Sequence, residues 1–299
     1  MAPVKTIAFV GLGNMGVPMA ARLAAVGFAL ALYDRRPEAV RAFATAHGGR
    51  AAISLADAAC GADAAITMLP DDKAVHEVAL GADGLAATLA PGAVVIDMGT
   101  SNPRATIEIG RALAARGIQY VDAPVMGGVV FAKDATLDVM VGGRDEDIAR
   151  CLPIFTAIGR QVLRCGELGS GHALKALANY VNAGALINVI EALGIGRKFG
   201  LDSKIMADAL VHLCAGRQHP LEKKVIPQIL TRKFATGMAL GLIAKDVSIA
   251  AKFGHSIGAM TPLADRVCES WGKAEAEFGG NADHTEVARL WEKGNGISL

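Results

Sequence analysis

TIAFVGLGNMG, residues 6–16, sets the expected fold for the first half of the chain. Four of its first five residues are apolar, which is typical of a buried parallel strand. Glycines follow at positions 11, 13 and 16, and a helical pattern then runs to Val26, where Gly27 supplies a C-cap. In such a turn the first glycine permits a tight bend, the second admits a phosphate-bearing ligand, and the third lets the helix pack against the strand.

A second strand, Ala29–Tyr33, ends at Asp34, 18 residues after Gly16. Strand, glycine turn, helix and acid in this order are the context of a dinucleotide fingerprint. We therefore expect the turn to bind a pyrophosphate through Gly11, Leu12, Gly13, Asn14, Met15 and Gly16. Asp34 should accept hydrogen bonds from the adenosine ribose, which favours NAD. Arg35 and Arg36 follow directly and could hold the additional phosphate of NADP, so NADP stays possible. The alternative is a helix-packing turn that binds no nucleotide.

The rest of the first half continues the alternation of strand and helix. Asn102-Pro103 predicts the N-cap and first residue of one helix. Strands separated by helices predict a mainly parallel, doubly wound α/β sheet of the Rossmann type. The further predicted strands are Ala64–Leu69, Ala93–Met98, Gln119–Ala123, Leu137–Val141 and Gln161–Arg164.

The last third has no strand pattern and offers only helical blocks, which predicts an all-α domain. One long helix within Gly169–Gly200 joins the two parts. The expected boundaries are 1–165 for the nucleotide-binding domain, 166–200 for the joining helix and 201–299 for the helical domain. Because this helix carries few charges, we expect it to be buried on most sides.

Lys175 and Asn179 lie four residues apart near the start of this helix and should share one face. The helix dipole and an apolar surround both disfavour a charged lysine there, which suits a general acid–base. The alternative is a lysine that extends along a surface face. His172, one turn earlier, either touches the ligand or lies exposed at the helix start.

Composition excludes several function classes. The net charge of +1 gives no electrostatic case for nucleic acid or an anionic membrane. No charge-free apolar run approaches the about 18–20 residues that cross a bilayer. Five scattered cysteines without a CxxC pair predict reduced thiols in the cytoplasm, and the seven histidines lack metal-ligand spacing.

Several ordered motifs resemble those of the β-hydroxyacid dehydrogenase family, relatives of 3-hydroxyisobutyrate dehydrogenase and tartronate semialdehyde reductase. The resemblance covers nearly the whole chain. Its motifs are GLGNMGVPM at 11–19, MLP at 68–70, DMGTSNP at 97–103, DAPVMGG at 122–128, GSGHALKALAN at 169–179 and the pair Lys245-Asp246.

The resemblance implies an oxidoreductase that uses a nicotinamide cofactor on a small hydroxyacid or its semialdehyde. It implies Lys175 as the catalytic lysine, with Asn179 beside it. Homodimers or homotetramers built through the helical domain are also implied. The residues expected along the cofactor are Met68, Leu69, Pro70, Thr100 and Lys245, and those expected along the substrate are Met126, Gly127 and Gly128.

Two positions depart from the family pattern. Met126 replaces a serine whose hydroxyl helps to hold the substrate, and Ala178 replaces the first of two asparagines. Methionine could be an apolar filler beside a loop. If Met126 instead faces the substrate, it predicts a preference for a hydroxyacid with an apolar substituent over small, highly hydroxylated ones.

Three other functions stay open at this point. One is a related imine reductase, and another is a non-catalytic nucleotide-binding module. Lys175 argues against both, because imine reductases usually replace this lysine and a binding module does not need it. The third is a phosphosugar enzyme like 6-phosphogluconate dehydrogenase, for whose enlarged helical domain the chain looks too short.

Overall fold

A computed structural model describes residues 3–216 and 220–299. The chain divides into two compact units, one ending at Tyr180 and the other beginning at Val181. The strands of the first unit are β1 Thr6–Val10, β2 Ala29–Tyr33, β3 Arg50–Ala51, β4 Ala64–Thr67, β5 Val94–Asp97, β6 Gln119–Asp122, β7 Val125–Met126, β8 Leu137–Gly142 and β9 Gly159–Gly166. Its helices are α1 Gly16–Ala25, α2 Pro37–His47, α3 Leu55–Ala59, α4 Asp72–Leu80, α5 Leu85–Thr88, α6 Pro103–Ala114, α7 Val129–Lys133 and α8 Asp145–Ile158.

The strands form one sheet in the order β3-β2-β1-β4-β5-β6-β8-β7, with β9 paired to β8. The pairs from β3 to β6 are parallel, whereas β8 runs antiparallel to β6 and β7. The predicted doubly wound, mainly parallel sheet is confirmed. Strands β3 and β7 were not predicted, because two residues are too few to show a period.

Both faces of the sheet are covered, which explains the continuous apolar runs of its strands. Ile7 and Phe9 of β1 point into one core with Met19 of α1. Ala8 and Val10 point into the opposite core. Full burial of each large apolar side chain contributes about 1.5–3 kcal/mol, so neither face of the strand tolerates a polar residue.

The second unit is helical, as predicted. Helix α9, Ser170–Phe199, starts in the first unit and continues into the second. It is followed by α10 Ser203–Leu210, π-helical turns at Val211–Gly216 and Leu221–Ile229, α11 Leu240–Ser256, α12 Pro262–Phe278, a 3-10 turn at His284–Val287 and α13 Ala288–Asn295. Helices α11 and α12 pack against each other.

The prediction that helix α9 is buried on most of its sides was wrong for this chain by itself. Leu177, Leu186 and Ile190 are 61%, 61% and 59% exposed. A low number of charged residues indicates that the apolar side chains of a helix favour burial. It does not indicate that residues of the same chain bury them. By length and composition alone α9 would also qualify to cross a membrane, a test that ordinary packing helices pass as well.

Candidate active site

The glycine turn between β1 and α1 has the shape of a phosphate cradle. Gly11 has a φ of +102°, and a Cβ there would lie 2.4 Å from the carbonyl oxygen of Met68. A Cβ on Gly16 would lie 1.9 Å from the carbonyl oxygen of Gly11, so this glycine permits the close packing of helix on strand. Nothing lies within 4 Å of the corresponding position on Gly13, which leaves that backbone open to a ligand.

The N-terminus of α1 is also suited to a negative charge. Its N-cap, Met15, makes no side-chain hydrogen bond to the helix, and the first turn carries no acidic residue. The first backbone N–H groups of a helix have no partner within it and carry partial positive charge. A pyrophosphate placed beside Gly13 would meet these groups, so the residues present fit a dinucleotide.

Asp34 follows β2 and is held by the protein itself. Its Oδ2 accepts a 2.8 Å hydrogen bond from the backbone N–H of Leu12, and its Oδ1 accepts bonds of 2.9 and 3.0 Å from the backbone and Nε of Arg36. Burial by itself would raise the pKa of Asp34, but the hydrogen bonds from Arg36 and Leu12 outweigh it and hold the pKa below its ordinary value. Asp34 is therefore a fixed negative charge at the end of β2.

A cavity of about 450 Å³ opens beside Asp34. Tyr33, Arg35 and Ile53 are among the residues that line it. The Arg36 guanidinium is committed to Asp34 and to the carbonyl oxygen of Leu12, at 3.0 and 3.1 Å, whereas Arg35 is exposed at the cavity. The cavity has the position that the fingerprint assigns to the adenosine end of a dinucleotide.

Further predicted cofactor residues follow parallel strands at the same edge of the sheet. Met68, Leu69 and Pro70 come directly after β4, and Thr100 follows β5 and is exposed. Because the carboxyl ends of parallel strands share one edge, the structure places these residues at the edge that carries the glycine turn. Their contacts with a cofactor stay a prediction.

Asp97, the last residue of β5, organises the loop that carries Thr100. The carboxylate is fully buried and accepts hydrogen bonds from Thr67 Oγ1 at 3.0 Å, from Gly99 N at 3.1 Å and from Ser101 Oγ at 2.7 Å. These bonds fix the loop on both sides of Thr100.

Asp122, the last residue of β6, holds the start of α9 in the same way. It is fully buried, and its two oxygens accept 2.7 Å hydrogen bonds from the backbone N–H groups of Gly169 and His172. These donors lie just before the helix and within its first turn, where an anion also interacts favourably with the helix dipole. Asp122 therefore fixes the helix end that carries Lys175.

His172 is fully buried between these two carboxylates, so neither sequence-based alternative for it was right. Its Nδ1 lies 2.8 Å from Thr106 Oγ1, whose own hydrogen goes to the carbonyl oxygen of Asn102, so Nδ1 is the donor. Its Nε2 makes no hydrogen bond to the described residues and lies 3.5 Å from Asp97 Oδ2. The ring thus links α9 to α6 and lies beside Asp97 of β5.

The sequence motifs contained Asp97, Asp122 and His172, but the sequence did not predict that they form one buried network. The signal was present in part. Two aspartates that end apolar strands of a parallel sheet lie at its carboxyl edge, and a buried carboxylate needs donors. The identity of the donors to the two aspartates depends on the loop and helix that lie over that edge.

Lys175 lies one turn into α9 and is 8% exposed. Its Nζ donates a 3.4 Å hydrogen bond to the sulfur of Met126, which places Met126 beside Lys175. Burial lowers the pKa of Lys175 from its ordinary value. The alternative of a lysine that extends along a surface face was therefore wrong. The protonated amino group of Lys175 loses its proton more easily than that of a free lysine.

Gly127 and Gly128 continue the chain beyond Met126 and are exposed. Asn179 is exposed one turn after Lys175 in the same helix. The structure thus brings Met126 and Lys175 together from positions 49 residues apart. The glycine pair directly follows Met126 in the chain, and Asn179 lies one helical turn after Lys175.

Lys245 lies on α11 in the helical unit. Its side chain is 60% exposed, and Nζ is 3.1 Å from Oδ1 of the next residue, Asp246. Its predicted reach to the cofactor stays a prediction.

Two family models match the chain, and together they cover most of it. The NAD-binding domain of 6-phosphogluconate dehydrogenase matches residues 6–166. The NAD-binding domain of NADP-dependent 3-hydroxyisobutyrate dehydrogenase matches residues 169–291.

Relatives from Pseudomonas aeruginosa resemble the chain over most of its length. The NAD-dependent L-serine dehydrogenase of Pseudomonas aeruginosa is 34% identical, over 92% of this chain and 96% of that protein. The 3-hydroxyisobutyrate dehydrogenase of the same organism is 33% identical, over 95% of this chain and 98% of that protein.

Solved structures agree with this fold. The Mycobacterium tuberculosis 3-hydroxyisobutyrate dehydrogenase, determined with L-serine, is 30% identical with a TM-score of 0.67, and covers 96% of this chain and 99% of that one. A Myxococcus stipitatus imine reductase variant has a TM-score of 0.85 but is only 18% identical, over 97% of this chain and 100% of that one. At that identity the likeness concerns the fold alone.

Proposed function

The chain belongs to the β-hydroxyacid dehydrogenase family, whose members are NAD(P)-dependent oxidoreductases acting on CH–OH groups, and from this premise we propose that Lys175 is its general acid–base. The observation that carries this assignment is a buried lysine of lowered pKa next to the motif segment of Met126. When bound, the nicotinamide supplies or accepts the hydride. Lys175 removes the substrate hydroxyl proton during oxidation and returns it during reduction.

The remaining site residues orient the substrate in this proposal. The exposed backbone of Gly127 and Gly128 and the amide of Asn179 hold the carboxylate, while Met126 contacts the rest of the molecule. Orientation of this kind lowers the barrier because the reacting groups no longer have to find each other. Asp97 and Asp122 do not touch the substrate and keep the Thr100 loop and α9 in place.

We further propose that the substrate is a 3-hydroxypropionate with a substituent on the carbon next to the carboxylate. The two Pseudomonas relatives are named for L-serine and 3-hydroxyisobutyrate. Both compounds have this skeleton and differ in the substituent, which is an ammonium group in serine and a methyl group in 3-hydroxyisobutyrate. A thioether is only a weak hydrogen-bond acceptor, so it compensates a desolvated ammonium group poorly, and Met126 favours the methyl group.

A substrate panel tests the proposed function. We expect 3-hydroxyisobutyrate to give a higher kcat/KM than L-serine or glycerate, measured by nicotinamide fluorescence. Glyoxylate or tartronate semialdehyde as the best substrate of the reductive direction would contradict the role of Met126. A cyclic imine belongs in the same panel, and turnover of it in preference to every hydroxyacid would favour the imine reductase alternative.

For the cofactor we propose a preference for NAD, supported by the fixed charge of Asp34. Asp34→Ser removes that charge and releases the Arg36 guanidinium, which the structure commits to Asp34 and Leu12. We expect kcat/KM with NADP relative to NAD to rise about tenfold to a hundredfold, the value of one charge-assisted hydrogen bond.

The double variant Asp34→Ser/Arg36→Ala is the control for this change. It should keep only part of the gain, because the freed guanidinium is then missing. Equal or better kcat/KM with NADP than with NAD in the unmodified protein would contradict the proposed preference.

We also propose that the chain forms a homodimer or homotetramer through its helical unit. Large exposed apolar patches mark association surfaces, and α9 exposes Leu186, Ile187, Val189 and Ile190 within little more than one turn. Light scattering on the purified protein should give at least twice the mass of one chain, which is 30.8 kDa. Ile190→Glu should shift that mass toward the monomer, and a monomeric unmodified protein would contradict the proposal.

A further inference from the structure

The only side-chain hydrogen bond of Lys175 among the described residues joins it to a sulfur atom. Lys175 Nζ lies 3.4 Å from Met126 Sδ. Met126 is held at this place by strand β7, where it pairs with Asp138 of β8. Met126 is half-buried and Lys175 is buried, so solvent has limited access to the amino group.

The ionisable groups on the neighbouring elements are occupied elsewhere. Asp122, at the end of β6, accepts the backbone N–H groups at the start of α9. Asp138, opposite Met126, forms a 2.8 Å ion pair with Arg160. His172, one turn before Lys175, contacts Thr106. Burial is accordingly the single cause that lowers the pKa of Lys175, with no charge–charge contribution.

A thioether is a weak hydrogen-bond acceptor. An ammonium group that leaves water for a site with an oxygen acceptor recovers much of its lost hydration, because hydrogen bonds to charged groups are strong. When the acceptor is a sulfur atom, the ammonium group recovers only a small part of its lost hydration free energy. The contact therefore orients the lysine without stabilising its protonated form.

We infer that Met126 is a positioning residue for Lys175, whose thioether orients the amino group and, as a weak acceptor, leaves its proton easy to remove. This inference rests on the proposed acid–base role of Lys175. It gives Met126 a function in proton transfer in addition to any contact with the substituent of the substrate.

Two substitutions at Met126 separate acceptor strength from side-chain size. Met126→Leu removes the acceptor and keeps an apolar side chain of similar volume. Met126→Gln keeps the length and adds an oxygen acceptor. Met260→Gln, which changes an exposed methionine of the helical unit, is the control for the chemistry of the substitution.

The pH profile of kcat/KM for alcohol oxidation provides the first measurement. In the parent, kcat/KM rises with pH as Lys175 loses its proton, and then reaches a plateau. In Met126→Gln the rise should move to higher pH by roughly one pKa unit, which lowers kcat/KM at pH 7 about tenfold relative to the plateau of the same variant. The altered substrate contact changes the height of that plateau. In Met126→Leu the rise should stay in place or move to lower pH. A substrate contact alone would change the plateau and leave the position of the rise unchanged.

Competitive acetylation of the full-length protein provides a second measurement that needs neither substrate nor cofactor. The labelling rate of Lys175, followed by mass spectrometry against exposed Lys133, reports the fraction of neutral amine at each pH. It should fall about tenfold at pH 7 in Met126→Gln and remain within about twofold of the parent in Met126→Leu and Met260→Gln.

Identical pH dependence of Lys175 labelling in the parent, Met126→Leu and Met126→Gln would overturn the inference. Failure of the proposed function has a different signature. In that case Lys175→Ala would retain turnover on the hydroxyacid, even if labelling of Lys175 responded to Met126.

Discussion

Lys175→Ala should lower kcat by about 10²–10⁴-fold, the usual contribution of general acid–base catalysis. The lysine is buried, its pKa is lowered by that burial, and its amino group donates to Met126. The affinity for the cofactor should change little, because the glycine turn and the cavity beside Asp34 are built from other segments. Steady-state kinetics and a fluorescence titration with the cofactor measure the two quantities.

Lys133→Ala is the matched control for this variant. Lys133 ends α7, close to the Met126 segment in the chain, but its side chain is exposed. Its removal should leave kcat within about twofold of the parent, as expected for a solvated surface charge. If Lys175→Ala also retained turnover within a few-fold, the acid–base assignment would be wrong.

Asp122→Asn should lower the free energy of unfolding by about 2–4 kcal/mol, since it leaves buried donors unsatisfied and removes a buried charge. Both carboxylate oxygens accept backbone N–H groups, from Gly169 and from His172. An asparagine offers one oxygen, so its NH₂ group would have to face one of these donors. Because the same bonds hold the start of α9, kcat should fall as well. Urea denaturation followed by circular dichroism measures the stability.

Asp138→Asn makes the same change on β8, where the carboxylate forms a surface ion pair with Arg160. Exposed pairs contribute about 0–1 kcal/mol, so this variant should be nearly as stable as the parent. Equal stability losses in the two variants would mean that Asp122 is no more than an ordinary surface aspartate, which would contradict the network beneath the site.

The sequence alone was sufficient to predict the glycine turn and the longer strands of the first unit. The glycine turn, Asp34 and the strands β1 and β2 lie within about thirty residues. Over such a distance, strand period, glycine spacing and the fixed hand of the crossover leave little choice of structure. The same holds for Asn102 and Pro103, which cap and begin α6 as their residue types predict.

Local patterns could not predict how these side chains are partnered. The spacing of Asp34 indicated a ribose ligand, which stays a prediction, but it did not indicate that Leu12 and Arg36 also bind this carboxylate. Few charges on α9 indicated burial, but the chain leaves Leu177 and Leu186 exposed. A carboxylate needs hydrogen-bond donors and an apolar helix face needs packing partners. The sequence pattern indicates these needs but does not identify the donors or the partners.

The site itself is the part that only the tertiary structure decided. Sequence placed Lys175 on a helix and Asp122 at a strand end, and each prediction needed only local information. Asp122 meets His172 across 50 residues, and Lys175 meets Met126 across 49 residues. These contacts follow from β5 and β6 lying side by side and from α9 starting over their carboxyl ends. Strand order and helix placement are set by the packing of the whole unit, and no periodicity within one segment encodes them.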